Sequence, residues 1–354
     1  DSLGARITVS LGMFLAGAGS VIFGFAPSSL WLFLGRFLVG IGVSTVFVSI
    51  MKIQSQWFRD REFATISGAT TLVGNAGGIF SQGPLALLIS VVSWRAGFVA
   101  IGLLTVAIAA LCFRFIRNRP QDMGLPPVNE REIVRANLRP EPFSAVRGLK
   151  DVLSVRGIIP ATFFYLFNQA GFFALIGTWG IPWLVNAYGL SVQEASSYSV
   201  ILIFGIMAGG FITGWISDRL GRRKAPMLVS SLIHMLLWAV ILLSENGMPP
   251  LGALKILFFF LGITNTAFVL AWSVAKELTS EKYTGLAISI LNAAGFLSIA
   301  VCTSVMGWVL DLFPDLTPSG AYRMAFILPL VSAVLSAFSV LFIPETGAAK
   351  KRGR

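Results

Sequence analysis

The chain has 354 residues, 55% of them hydrophobic and 12% charged, with a formal net charge of +11. A charged share about half that of an ordinary soluble domain, spread over apolar residues along the whole length, excludes a single large soluble core. The basic surplus would point to nucleic acid in a soluble protein, but here Lys and Arg sit in short stretches between apolar runs, so no nucleic-acid partner is expected.

Charge-free stretches cover 7–35, 63–94, 157–193, 195–217, 256–275, 283–310 and 324–344. Roughly 20 apolar residues span a bilayer as a helix, and in lipid the backbone must satisfy its own hydrogen bonds. Ten spanning helices are therefore predicted: 7–26, 30–52, 63–90, 95–116, 157–186, 195–216, 226–244, 252–275, 284–309 and 321–343. Pro27 with Ser28 and Ser29 marks a tight turn between the first two. Gly68, Gly74, Gly77, Gly78 and Gly83-Pro84 crowd the third, and small residues there, like Gly40 and Gly42 in the second, predict close helix packing.

Between the fourth and fifth helices lies the one long polar connection, 117–156, rich in proline and charge and read as an extended linker. Its end, Phe143 to Arg156, places Val146, Leu149, Val152 and Leu153 near helical spacing among Arg147, Lys150 and Arg156, which predicts a short basic amphipathic helix at the membrane face. The domain reading is an N-terminal bundle at 1–116, the linker at 117–156, a six-helix bundle at 157–344 and a basic tail at 345–354.

Loop charge sets the orientation. One set of alternating connections, with the tail, holds 23 of the 27 Lys and Arg, while the other set holds Arg95 and Arg323, with Lys255 near a helix end. The excess of positive charge on one side predicts that side, and both chain ends, in the cytoplasm of an inner membrane.

Two local matches relate the halves. Asp1-Ser-Leu-Gly4-Ala-Arg6 is similar to Asp218-Arg-Leu-Gly221-Arg-Arg223, and Trp94-Arg95-Ala-Gly-Phe98 to Tyr322-Arg323-Met-Ala-Phe326. Two helices precede the Asp218 loop in the second half, so two more are expected before Asp1, giving six plus six.

Gly214-Trp-Ile-Ser-Asp218-Arg219-Leu-Gly221-Arg222-Arg223 resembles the signature loop of the major facilitator superfamily of secondary transporters, and Gly35-Arg36-Phe-Leu-Val-Gly40-Ile-Gly42 resembles its second motif. The resemblance implies an all-α membrane protein of two helical bundles, ten helices (four plus six) in this chain, and transport by alternating access. It also implies that Gly214, Asp218, Arg219, Gly221, Arg222 and Arg223 form a conformational latch, with Asp1 and Arg6 as its truncated copy. The family's antiporter motif has a glycine pair after Gly-Pro; here Gly77-Gly78 comes before Gly83-Pro84, so antiport is not inferred.

Arg36 is the only charge well inside a spanning run, and a buried cation needs a partner. It would bind an anionic solute, bias a carboxylate in proton coupling, or bond backbone carbonyls. Tyr165, Asn168, Gln169, Asn265, Trp272, Asn75 and Asn292 are polar or amphipathic groups within apolar runs, either binding solute or joining helices. Tyr165, Gln169, Phe172 and Trp179 share one face of an ideal helix. His234 reads as packing, as do Cys112 and Cys302. No paired carboxylates, metal-ligand cluster, nucleophile–base set or phosphate-binding glycine loop is visible, so neither enzyme activity nor a cofactor or metal is expected. The partners expected are a small polar or anionic solute, a coupled proton and the lipid bilayer, with a monomeric chain. Efflux of a hydrophobic compound, or a transporter-like receptor, are the alternatives.

Overall fold

The computed structural model describes residues 4–58, 70, 73–74, 77–78, 92–126, 145–279 and 283–346. The chain forms two compact units, Asp1–Glu141 and Pro142–Arg354, divided inside the polar connection. Among the described residues all regular elements are helical, and nine helical stretches are long and apolar enough to cross a membrane. They coincide with nine of the ten predicted spans; most of 63–90, including Gly83 and Pro84, lies outside the described residues.

Unit 1 contains α1 (Gly4–Gly24), α2 (Ser29–Trp57) and α3 (Trp94–Phe115). Helices in lipid gain little from excluding water, so close backbone contact has to hold them together. Glycines one heptad apart on α1 supply it. Gly12 meets Gly42 and Gly19 meets Gly35 of α2, while Gly17 meets Gly102 of α3. A Cβ on Gly42 would overlap the Gly12 carbonyl oxygen. The expectation of close packing thus holds at Gly42 and fails at Gly40, where a Cβ would meet nothing. It also fails at Gly77, which faces open space, among the described residues. Gly35, two helical turns before Gly42, makes the other close approach of α2 to α1.

The linker starts with a short 3-10 turn, Pro120–Met123, capped by Asp122, whose carboxylate accepts the Arg119 N–H at 3.1 Å. It then enters unit 2 as α4 (Ala145–Ser154), the amphipathic helix expected from the sequence. One side of α4 is docked on unit 2. Val152 is buried in the core with Ile158, and Tyr283 donates its hydroxyl proton to Asp151 at 3.0 Å. Leu149 and Leu153 stay exposed.

The rest of unit 2 is α5 (Ile158–Ala174), a π-helical turn (Leu175–Trp179), α6 (Gly180–Tyr188), α7 (Val192–Leu220), α8 (Lys224–Leu243), α9 (Leu251–Asn265), α10 (Phe268–Leu278), α11 (Thr284–Leu312), α12 (Pro318–Ala325) and α13 (Ile327–Leu341). Three spans are therefore interrupted. Pro329 lacks the N–H that would bond the Ala325 carbonyl, which accounts for the break between α12 and α13. The π-turn inserts a residue into the α5–α6 span and rotates everything after it. Of the four residues expected on a single face, Tyr165, Gln169 and Trp179 all reach α11, at Asn292, Gly295 and the Thr303 carbonyl (3.0 Å from the Trp179 indole), whereas Phe172, which precedes the π-turn, lies toward His234 of α8.

The sequence repeat has a packing counterpart. Phe98 of α3 lies 4.5 Å from Phe23 of α1, and its match Phe326 lies 5.7 Å from Trp238 of α8, the helix that follows the Asp218 loop as α1 follows the Asp1 loop. In unit 2 the closest crossing joins α7 to α9, where Gly205 and Gly262 touch the opposing backbone. Gly262→Val drives its new carbons into the Leu202 carbonyl and is expected to cost about 1–3 kcal/mol as overpacking. The check is a lower thermal-unfolding midpoint in detergent, beside an unchanged midpoint for Gly214→Ala, where the added carbon meets nothing.

Candidate functional site

The polar residues of the unit 2 spans converge at the α9–α10 break. The α9–α10 break falls after Asn265, near the middle of the span Leu251–Leu278, and discontinuous helices at mid-membrane are where transporters expose backbone and side-chain polarity. Asn265 donates from Nδ2 to the Asn168 carbonyl at 3.1 Å and to Asn168 Oδ1 at 3.2 Å, and lies 3.5 Å from Gln169 Oε1. Gln169 Nε2 lies 3.4 Å from the Tyr165 hydroxyl, which donates to Asn292 Oδ1 at 2.8 Å. The Tyr165 ring contacts Phe268 and Trp272 edgewise or tilted, at 5.8 and 6.1 Å. All six unit 2 candidates therefore form one connected group across α5, α9, α10 and α11.

Within that group the residues have different access. Asn168, Gln169 and Asn265 are buried, with Asn265 at 0% exposure. Of the two alternatives, binding solute or joining helices, the burial of Asn168 and Asn265 fits the second; Asn265 ties α9 to the α5 backbone at the break. Asn292 and Trp272 are half-buried and form the open edge. Because Asn292 Oδ1 is occupied by Tyr165, its Nδ2 is the free end of the amide and is a donor. The Trp272 indole N–H has no hydrogen-bond partner among the described residues. The accessible edge is thus the Asn292 amide donor beside aromatic rings, since the Trp272 N–H is itself buried, and it suits a solute rich in oxygen acceptors.

His234 does not join this group. The Trp238 indole can only donate, so the bond to His234 Nε2 at 3.1 Å places the imidazole proton on Nδ1, facing Thr264 Oγ1 at 2.9 Å. Thr264 in turn donates to the Phe260 carbonyl at 2.9 Å. Every polar atom is satisfied by α8 and α9, as a packing role requires.

In unit 1, Arg36 lies seven residues into α2, about 10 Å along the axis at 1.5 Å per residue. Its guanidinium carbon sits 4.7 Å from the Phe23 ring centre and 5.2 Å from that of Phe98. The partner expected for this cation is therefore a pair of aromatic faces, and neither an ion pair nor a backbone carbonyl holds it among the described residues. Arg36 is also exposed on unit 1 rather than enclosed by α1–α3.

The Asp218 loop has Arg223 at its centre. Arg223 forms an ion pair with Asp218 at 2.6 Å and with Glu277 at 3.0 Å, and donates to Ser217 Oγ at 2.9 Å. Partial burial pulls its pKa down, but the hydrogen bonds to Asp218 and Glu277 outweigh that and hold it above the ordinary arginine value. Gly221 takes the left-handed conformation (φ 62°) that closes α7, a geometry that suits glycine. Asp218 faces Arg223 and not a helix end. The carboxylate at the N-terminus of α8 is Glu345, which accepts the Arg223 N–H at 2.6 Å. Arg219 lies over the Trp215 ring at 5.2 Å, and no side-chain contact is formed by Gly214. Arg6 bonds the Phe113 carbonyl at 2.8 Å, and its backbone N–H bonds Asn118 at 2.7 Å. It thus pins α1 to the end of α3; Asp1 lies outside the described residues. Glu277 and Glu345 escape a reading of the sequence because they sit at span ends far from the motif. Arg223→Ala is expected to speed tryptic cleavage after Arg219 and Arg222 in detergent-solubilised protein. The unfolding midpoint should barely move, since partly exposed pairs contribute only about 0.2–1 kcal/mol each.

The family model described as Major Facilitator Superfamily matches residues 1–180 and 158–354. The chain belongs to that superfamily. This makes it a multi-pass membrane protein with the transporter fold, and not an enzyme. The superfamily chain is 26% identical over 361 residues to the hexuronate transporter of Bacillus subtilis (strain 168), covering 96% of this chain and 79% of that one. It is 24% identical over 353 residues to the membrane sensor protein UhpC of Escherichia coli (strain K12), covering 95% and 77%. Among solved structures, a D-xylose-proton symporter aligns with a TM-score of 0.70 at 15% identity, covering 98% of this chain and 82% of that one.

Proposed function

We propose that this superfamily member moves a small polyhydroxylated carboxylate, of the sugar-acid class, across a bacterial inner membrane by alternating access. The observation that carries this reading is Arg36: a permanent cation within a spanning helix, without a carboxylate partner among the described residues. A carboxylate on the solute would supply the missing charge, and planar bidentate pairing favours arginine for that task. The Asn292 amide donor, beside the Trp272 ring, suits the hydroxyl and ring oxygens of such a solute. Similarity to a hexuronate transporter supports the same class.

The Arg223 network is proposed as the latch that stabilises one access state, with the loop side of the protein in the cytoplasm, where the loop charge would hold it. The described spans carry no Asp or Glu away from their ends, so proton coupling would depend on residues elsewhere. The chain is proposed to act as a monomer. The test is uptake of radiolabelled D-glucuronate into proteoliposomes, with and without an imposed proton gradient, against uncharged D-glucose. Concentrative D-glucuronate uptake is expected; equal handling of both sugars would count against an anionic solute. The similarity to a membrane sensor favours a second reading, in which solute binding shifts the conformation without transport. Saturable D-glucuronate binding with no uptake would select it.

A further inference from the structure

We propose that Phe23 and Phe98 are positioning residues that form a two-walled aromatic seat, keeping the Arg36 guanidinium charged, unpaired and ready for an anion. The inference rests on the anionic-solute reading above and deepens it. The two rings are 4.5 Å apart and inclined at 55°, so they make a concave seat and not a flat stack. Trp94 backs it, 5.8 Å from Phe23 and 6.3 Å from Phe98. The helices hold the walls in place: Ser20 donates to the Phe98 carbonyl at 3.0 Å, joining α1 to α3. The Gly19–Gly35 crossing brings the α2 backbone against Phe23 one residue before Arg36. That gives Gly35 its function, since a larger residue would lift the guanidinium off the ring.

The choice of aromatic faces over a carboxylate has a physical consequence. A resident carboxylate would hold Arg36 bidentately and would have to be displaced by every incoming anion. An aromatic face attracts the cation through its quadrupole without neutralising it, and more weakly than an ion pair does. The seat therefore fixes where the cation waits while leaving its donors free for a stronger partner. The only other described cation near the seat, Arg95, lies on Trp94 at 4.3 Å, behind the walls. A packing function alone would be served as well by leucine, and this difference makes the inference testable.

The experiment compares Phe23→Leu and Phe98→Leu with Phe23→Tyr and Phe98→Tyr in the full chain, each checked for monodispersity in detergent. Two readouts are used: the rate at which phenylglyoxal modifies Arg36, followed by peptide mass spectrometry, and the kinetics of D-glucuronate uptake into proteoliposomes. The leucine variants are expected to raise the modification rate and to raise KM about 2- to 30-fold, the span of cation–π strengths, with kcat largely kept. The tyrosine variants, which keep the π faces, should stay near wild type in both. Leucine variants with wild-type reagent rates, or tyrosine variants as impaired as leucine ones, would overturn the seat. A wild-type chain that neither binds nor moves D-glucuronate would remove the anionic-solute reading, and the reagent rates alone would then decide whether the rings shelter Arg36.

Discussion

Arg36→Ala is expected to reduce D-glucuronate uptake by at least about 100-fold while leaving the yield of folded protein intact. A hydrogen bond to a charged group contributes about 1.5–3 kcal/mol, and a bidentate pair makes two of them. Loss of both removes most of the affinity for an anion. The folding side of the balance has the opposite sign. A cation placed in a spanning helix costs about 2.5–3.5 kcal/mol on insertion scales, offset here only in part by Phe23 and Phe98. Removing it therefore relieves the fold instead of weakening it, and the alanine variant should elute from size exclusion as wild type does. Arg36→Lys separates charge from shape. Lysine keeps the charge but has neither the planar fork nor a stacking surface, so uptake should stay well below wild type. Normal uptake by the alanine variant would take Arg36 out of the mechanism.

The membrane architecture was legible because its cause is simple: a stretch without charge that is long enough to cross lipid has to be a helix. Nine described spans therefore fall where charge-free runs place them, within a few residues at each end. The grouping of Tyr165, Gln169, Asn265, Trp272 and Asn292 was legible for a related reason, since amides and indoles are rare enough in lipid-facing runs to attract notice. Their connectivity was not. The π-turn at Leu175–Trp179 was not legible, since Gly177, Gly180 and Pro182 do not by themselves mark one, and neither was the placing of Phe172 toward His234 while Tyr165, Gln169 and Trp179 keep to α11. Gly40 and Gly42 look equivalent in sequence, yet only one lies on the face turned to α1; helical phase relative to Gly35 decides it. Glu277 and Glu345 were hidden because ion-pair partners are set by tertiary proximity. Arg36 stood out as the cation that needs a partner, with an anionic solute, a carboxylate and backbone carbonyls as the expected ones, and phenyl rings in an apolar run do not announce themselves as another.

The difference in access within the unit 2 group predicts that two asparagines will fail in opposite ways. Asn292→Leu is expected to raise the KM for D-glucuronate about 10- to 100-fold with little loss of stability. Asn292 is half-buried, its Nδ2 is the outward donor, and a solute bound there would lose a hydrogen bond and face an apolar group instead. The Tyr165 hydroxyl loses its acceptor, but it lies beside the open edge, where water can replace the amide. Asn265→Leu is expected to do the reverse. Its Nδ2 bonds Asn168 Oδ1 at a position with no access to water, so its removal leaves that buried amide oxygen unpaired, at about 1–3 kcal/mol. That cost falls on the α9–α10 break, where no other bond to Asn168 Oδ1 is made among the described residues. The unfolding midpoint should drop, while the KM of the protein that remains folded stays within a few-fold of wild type. Measured together, the pair separates solute recognition from helix joining. If Asn265→Leu shifts KM more than Asn292→Leu does, the sealed amides open during transport, and the binding surface extends inward along α5.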